Sequence, residues 1–264
     1  MEYLFTNQDN LDNYIADKCV LLFLDYDGTL TSIVENPDKA FIPDRARDLL
    51  KQLSANPRCT IAIVTGRAEK DIKSRIYIKN IIYACNHGLQ IKGPKIDFTA
   101  PLPADFRKVL RKIESHLKKT FCSVKGILLE DKQTTLSVHY RLLNKGYVAR
   151  AVRTLLEITA PYIDKKKITV NFGKKVFEIR PPIEWNKGSA VLWLLNKHKS
   201  TLYGKPIVPI YVGDDITDED AFKAIKEIGL TIFVGHPRKS HAKYYLRNTR
   251  EVFKFLKILN NLLT

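Results

Sequence analysis

The sequence predicts an α/β protein whose parallel-sheet core is interrupted by a smaller α+β module. Three observations carry that expectation. Apolar runs alternate with helical patterns over residues 19–85. The alternation stops after residue 100 and resumes from Asn186. Two acidic clusters, Asp25-Tyr26-Asp27-Gly28 and Gly213-Asp214-Asp215, each directly follow an apolar run. Ligands of open α/β sheets bind at the carboxyl ends of the strands, so acids placed there point to a site.

Residues 19–25 read as the first strand, because Cys19 to Phe23 is unbroken apolar sequence. Asp44 to Ser54 is helical, with Ala46, Leu49, Leu50 and Leu53 on one face. Cys59 to Thr65 is a strand, Ala68 to Tyr77 a helix and Ile81 to Cys85 a strand. The order βαβαβ implies parallel pairing with right-handed crossovers. Beyond residue 100, Phe106, Val109, Leu110, Ile113 and Leu117 recur with helical period, and Thr134 to Tyr140 alternates like a half-exposed strand. A helix from about Ala149 to Thr159 is bounded by Pro161. Ile168 to Phe172 and Lys175 to Arg180 read as a hairpin across Gly173-Lys174. This pattern puts the inserted module at residues 101–182, between core segments 1–100 and 183–264. From Asn186 a helix runs to about Asn196, followed by a strand at Ile207 to Val212 and a helix at Thr217 to Ile228. A strand at Leu230 to Val234 and a terminal helix from about Asn248 complete the pattern.

At 264 residues the chain can bury a substantial core, and 45% apolar with 27% charged residues is ordinary for a soluble globular protein. No apolar run approaches the ~20 residues that cross a bilayer. Residues 1–10 show neither a basic nor an apolar signal region, so a cytoplasmic protein with no membrane partner is expected. Cysteines 19, 59, 85 and 122 lack C-x-x-C spacing, and three of them lie in or beside apolar runs. They read as reduced thiols, not as a disulfide framework or a zinc site. The 44 Lys and Arg against 28 Asp and Glu give +16, a charge suited to nucleic acid or to steering an anionic small substrate. The basic residues are scattered, with no RNA-binding aromatic signature and no zinc-finger spacing, so a solvated basic surface and no nucleic-acid partner are expected.

Four elements suit phosphoryl transfer. Phosphate-monoester hydrolysis needs up to ~21 orders of magnitude of acceleration, most of it from positioning and charge neutralisation. Along a strand, Asp25 and Asp27 share a face, so one carboxylate can attack phosphorus while the other moves protons; the alternative is a plain Asp-Gly turn. Thr65 in Ile63-Val64-Thr65-Gly66-Arg67 can hydrogen-bond a phosphoryl oxygen, or simply cap a helix. Lys187 in Trp185-Asn186-Lys187-Gly188 can neutralise phosphate and nucleophile together. In the late acidic cluster Asp214 suits direct ligation of Mg²⁺, Asp215 and Asp218 would orient groups around it, and Thr217 would cap the following helix.

Asp-x-Asp-Gly-Thr-Leu, then Thr-Gly-Arg, then a late Lys, then Gly-Asp-Asp-x-x-Asp, in that order on an interrupted core, resembles the haloacid dehalogenase superfamily of Mg²⁺-dependent phosphohydrolases. Nearly the whole chain further resembles the trehalose-6-phosphate phosphatase family, through residues 24–30, Asn86-His87-Gly88-Leu89, Ser137-Val138-His139-Tyr140-Arg141, Phe177-Glu178-Ile179-Arg180-Pro181, Asn186-Lys187-Gly188 and residues 213–220. The resemblance implies a Rossmann-like core with an α+β cap. It also implies Asp25 as nucleophile, Asp27 as general acid/base, and Thr65 and Lys187 as phosphoryl binders. Mg²⁺ would be held by Asp25, Asp214 and the Asp27 backbone carbonyl. Arg67, Asn86 and His87 are expected at the substrate, and Glu130, Lys132, Arg141 and Glu178 on the sugar hydroxyls. Cys85 stands where that family often has Gly.

The expected activity is hydrolysis of trehalose 6-phosphate to trehalose and phosphate, by a protein acting as a monomer on a small sugar phosphate. Its rivals are a phosphatase for another sugar phosphate, such as sucrose 6-phosphate, and a non-catalytic protein that binds a sugar phosphate or nucleic acid.

Overall fold

A computed structural model describes residues 1–6, 8–34, 37–173, 175–198 and 205–264. It divides the chain into two compact units, Met1–Thr99 with Trp185–Thr264, and Ala100–Glu184. In chain order the strands of the first segment are β1 (Glu2–Tyr3), β2 (Cys19–Leu24), β3 (Cys59–Val64), β4 (Ile82–Cys85), β5 (Gln90–Gly93) and β6 (Ile96–Thr99). The smaller unit holds β7 (Leu128–Asp131), β8 (Leu136–His139), β9 (Thr169–Gly173) and β10 (Val176–Arg180). The returning segment adds β11 (Ile207–Gly213), β12 (Leu230–Val234) and β13 (Tyr244–Leu246). The helices are α1 (Gln8–Ile15), α2 (Asp44–Ala55), α3 (Glu69–Ile76), α4 (Phe106–Thr120), α5 (Lys145–Asp164), α6 (Lys187–His198), α7 (Glu219–Ile225) and α8 (Thr249–Leu263).

Among the described residues the larger unit carries a nine-stranded sheet in the order β1-β13-β12-β11-β2-β3-β4-β5-β6. Pairing is parallel from β1 through β4, and β5 and β6 extend the edge antiparallel. All six residues of β2 are buried. Val20, Leu22 and Leu24 face one core, shared with α2, α3 and α8, while Leu21 and Phe23 face the other, shared with α6 and α7. A sheet covered on both faces has no need of apolar-polar alternation, which is why this strand reads as a continuous apolar run. The strands that contribute acids, β2 and β11, are neighbours in the middle of the sheet, paired from Ile207↔Cys19 to Val212↔Leu24. Their carboxyl ends therefore emerge together.

The smaller unit is a four-stranded antiparallel sheet, β7-β8-β10-β9, with α4 and α5. Leu136, Val138, Phe177 and Ile179 pack with the apolar faces of both helices. The alternate residues, Ser137, His139, Glu178 and Arg180, stand on the opposite face by strand periodicity. Pro161 does not end its helix: α5 continues to Asp164. Leu155 and Ile158 before the proline and Tyr162 after it all pack on this core, and that burial outweighs the missing hydrogen bond. Residue 174, in the expected turn between β9 and β10, lies outside the described residues.

Cys19, Cys59 and Cys85 are buried and Cys122 is exposed, all as free thiols. Burial pushes the Cys59 and Cys85 thiols up to about 12. Among the described residues no helix is long and apolar enough to cross a membrane.

Candidate active site

β2 ends at Leu24, so Asp25 and Asp27 belong to the turn beyond it and strand alternation no longer governs them. The Asp25 N–H donates to the Val212 carbonyl at 2.9 Å, which ties the start of this turn to β11. Gly28 adopts φ +90°, and Thr31 and Leu30 both donate back to the Tyr26 carbonyl. A Cβ on Gly28 would overlap the Asp214 carboxylate, so glycine is required both for the backbone angle and for the close approach of Asp214.

The two aspartates then go to different partners. Asp25 is buried, and its Oδ1 accepts from Lys187 Nζ at 2.7 Å. Asp27 turns to Arg67, whose Nε and Nη2 donate to its two oxygens at 2.7 and 2.6 Å. Arg67 also reaches Asp71 at 2.7 Å, so its guanidinium is already clamped between two carboxylates. The two carboxylates at the end of β2 are thus held by different cations, Asp25 by Lys187 and Asp27 by Arg67.

Lys187 opens α6 and is 3% exposed. Asn186 holds the helix start, accepting from the Ser189 N–H at 2.9 Å while its own N–H faces the Ser189 hydroxyl. The ammonium donates to Asp25 and to Asp218 Oδ1, each at 2.7 Å. Burial opposes its charge, but Asp218 and Asp25 outweigh burial and raise its pKa. Asp218 is fully buried; the Tyr211 hydroxyl donates to the same Oδ1 at 2.7 Å, and the Asp215 N–H to Oδ2 at 2.9 Å. Asp215 completes the exchange as the cap of the turn Ile216–Asp218. Thr217 does not cap α7: a tight 3₁₀ turn capped by Asp215 precedes that helix, whose own N-terminal flanking residue is Asp218 with no side-chain cap.

Thr65 is buried just past β3, and its hydroxyl accepts from the Arg67 N–H at 3.2 Å. It does not cap α3, whose N-terminal flanking residue is Ala68 with no side-chain cap. Asn86 and His87, at the end of β4, sit in the left-handed region at φ 51° and 57°. Asn86 N–H donates to the Arg67 carbonyl and His87 N–H to the Thr65 carbonyl, so this pair supports the Thr65–Arg67 loop. His87 covers Gly66 closely enough that a Cβ there would come within 2.7 Å of its ring.

Asp25, Asp214 and Asp218 offer carboxylate oxygens within 4.8 Å of one another. Three carboxylates thus gather around the Lys187 ammonium, an acidic cluster of the kind that can hold a divalent cation. Burial raises the Asp25 carboxyl well above its ordinary range; Lys187 opposes this, while Asp218 and Asp214 add to it. Asp218 already uses both oxygens on protein donors, which leaves cation binding to Asp25 and Asp214. Two hard carboxylates are a donor set that suits Mg²⁺, which takes its remaining oxygens from waters and phosphate.

In the smaller unit, Glu130, Lys132 and Glu178 come together: Lys132 Nζ lies 3.9 Å from Glu130 and 3.6 Å from Glu178. Arg141 follows β8 on an exposed turn. The sequence reading passed over Tyr211, hidden as one more apolar residue of a buried strand. His139 and Arg180 lie in the motifs of the resemblance but have no individual role there, although their alternation with buried neighbours was an available signal.

An interrupted α/β sheet with a buried Asp-Lys-Asp arrangement at its central strand ends is the class of fold and site that the haloacid dehalogenase resemblance implies. The fold alone is shared with a haloacid dehalogenase-like hydrolase from Bacteroides thetaiotaomicron, at TM-score 0.66 and 16% identity over 92% of this chain and 100% of that one. The trehalose-phosphatase family model matches residues 23–250. The chain belongs to that family. It is 37% identical to trehalose-phosphate phosphatase B of Arabidopsis thaliana over 95% of this chain and 69% of that protein. The C-terminal domain of trehalose-6-phosphate phosphatase from C. albicans superposes with TM-score 0.79 at 24% identity, covering 99% of this chain and 98% of that one.

Proposed function

We propose that this chain is a Mg²⁺-dependent phosphoric monoester hydrolase that releases phosphate from trehalose 6-phosphate. The observation that carries the reading is the buried Asp25–Lys187–Asp218 arrangement beside Asp214, in a chain of the trehalose-phosphatase family.

Lys187 holds Oδ1 of Asp25, which fixes the carboxylate and leaves Oδ2 to attack phosphorus in line. The phosphorus–oxygen bond to the sugar breaks as the aspartyl-phosphate forms, and Asp27 supplies the proton to the departing sugar oxygen. Water then attacks the aspartyl-phosphate, gives its proton to Asp27 and regenerates Asp25. Both Asp27 oxygens accept from Arg67, so delivery of the proton requires that one of these bonds be given up. Mg²⁺, held by Asp25, Asp214 and the Asp27 backbone carbonyl, would supply charge neutralisation at the phosphoryl oxygens. Thr65 and Lys187 bind those oxygens. The carboxylates and Lys132 of the smaller unit recognise sugar hydroxyls, which both donate and accept hydrogen bonds.

The test is phosphate release from a panel of sugar phosphates with Mg²⁺. Preference for trehalose 6-phosphate supports the reading, and a clear preference for sucrose 6-phosphate overturns the substrate assignment.

A further inference from the structure

The polar face of the smaller unit's sheet carries more than Glu130 and Glu178. Strand register places Glu130, Ser137, Glu178 and Asn171 in one row across β7, β8, β10 and β9. Ser137 lies fully buried in the middle of this row, and its hydroxyl has no hydrogen-bond partner among the described residues. At one end, Asn171 accepts from Arg180 Nη1 at 3.1 Å once its amide is turned to satisfy both neighbours, and Arg180 Nε lies 4.0 Å from Glu178. At the other end, His139 Nε2 lies 2.9 Å from Glu130 Oε2. An ionised carboxylate only accepts, so the imidazole donates.

From this geometry we infer that His139 is a positioning residue for Glu130, and through Glu130 for recognition of the sugar. The inference rests on the trehalose 6-phosphate reading. Glu130 stands at the edge strand of the sheet and is more exposed than Glu178, with 38% against 10% of its side chain open. An exposed glutamate samples many rotamers, and a carboxylate that must meet a hydroxyl in one orientation loses affinity to that freedom. Lys132 and His139 both draw on Oε2 of Glu130, one as a charge at 3.9 Å and the other as a directed hydrogen bond. The directed bond sets the plane of the carboxylate, which a point charge cannot do. The ligand class that follows is a polyhydroxylated one whose hydroxyls donate to two carboxylates flanking a single ammonium.

The experiment compares trehalose 6-phosphate with p-nitrophenyl phosphate, which has no sugar hydroxyls, using the full chain with Mg²⁺. His139→Ala should raise KM for trehalose 6-phosphate on the order of tenfold, the worth of one hydrogen bond to a charged group, with kcat less affected. The loss of kcat/KM on the sugar phosphate should exceed the loss on p-nitrophenyl phosphate by that same factor. His139→Gln, which keeps a donor at comparable reach, should recover most of it. In a Glu130→Gln background His139→Ala should cost little more, because the group it positions is already altered. Equal losses on both substrates, or losses that add fully in the double variant, overturn the inference while leaving the phosphatase reading intact. Wild-type protein that hydrolyses p-nitrophenyl phosphate but not trehalose 6-phosphate overturns the sugar reading itself, and the inference with it.

Discussion

Asp218→Asn is almost isosteric, and the structure makes its cost calculable. The hydrogen-bond partners of this carboxylate are donors: Lys187 and Tyr211 on Oδ1, and the Asp215 N–H on Oδ2. Whichever way an amide is turned, its NH₂ faces a group that also donates. Losing the charge-assisted bond to Lys187 costs about 1.5–3 kcal/mol, and stranding a buried donor about 1–3 kcal/mol more. The sum, about 2.5–6 kcal/mol, brackets the roughly 3–5 kcal/mol that breaking a buried ion pair from one side costs in general. Lys187 keeps Asp25, which places the expected loss near the lower end, about 3 kcal/mol. Thermal unfolding should report a fall on the order of 6–12 °C for a chain of this length. Phosphate release should fall too, since the ammonium that holds Asp25 loses one of its two anchors. Tyr211→Phe removes one donor and leaves the carboxylate, so it should cost about 1.5 kcal/mol. An Asp218→Asn protein within about 1 kcal/mol of wild type, or one more stable than Tyr211→Phe, would refute the reasoning.

Three further outcomes follow from the same geometry. Gly28→Ala combines a left-handed backbone angle with a Cβ pressed into the Asp214 carboxylate, so Mg²⁺ titrated against activity should show weakened activation, on the order of tenfold or more. Arg67→Lys replaces a two-point grip on Asp27 with a single charge; kcat for trehalose 6-phosphate should fall on the order of 10- to 100-fold with a smaller change in KM. Asp71 lies between Arg67 and Arg75; burial alone would raise its carboxyl, but the hydrogen bonds and charges of Arg75 and Arg67 outweigh it and hold the carboxyl below its ordinary 3.8. A carboxyl lowered on folding adds stability above its unfolded value and surrenders it as pH falls through the folded one. Asp71→Asn should therefore destabilise the protein at pH 7 and flatten its loss of stability between pH 4 and more acid conditions, as read by denaturant unfolding across pH.

Much of the core was legible because burial on both faces of a parallel sheet leaves continuous apolar runs, as in Cys19–Leu24 and Ile207–Val212. The acids that end these runs are conspicuous for the same reason. What escaped was set by tertiary partners. Strands β5 and β6 are four residues each and mix polar with apolar side chains, so they carry no run. The short β1 and β13 pair at the far edge of the sheet, where two or three residues suffice. Pro161 reads as a helix end locally, yet packing on both sides of it carries α5 through. Within the site, Asp218 and Asp215 look alike in sequence; a 3₁₀ turn buries the first against Lys187 and Tyr211 and leaves the second as a cap. No spacing rule announces that Asp27 turns from Asp25 to Arg67, because that choice is made by a residue forty positions away.

In the proposed mechanism Asp25 attacks the phosphoryl group of trehalose 6-phosphate. A single-turnover reaction with substrate labelled in its phosphate, Mg²⁺ present and quenched in acid, tests it most directly. Label should bind transiently to the peptide that contains Asp25, with free phosphate appearing as that label decays, and neither should appear in Asp25→Asn. Free phosphate formed by Asp25→Asn at the wild-type rate, or label on a different peptide, would contradict it.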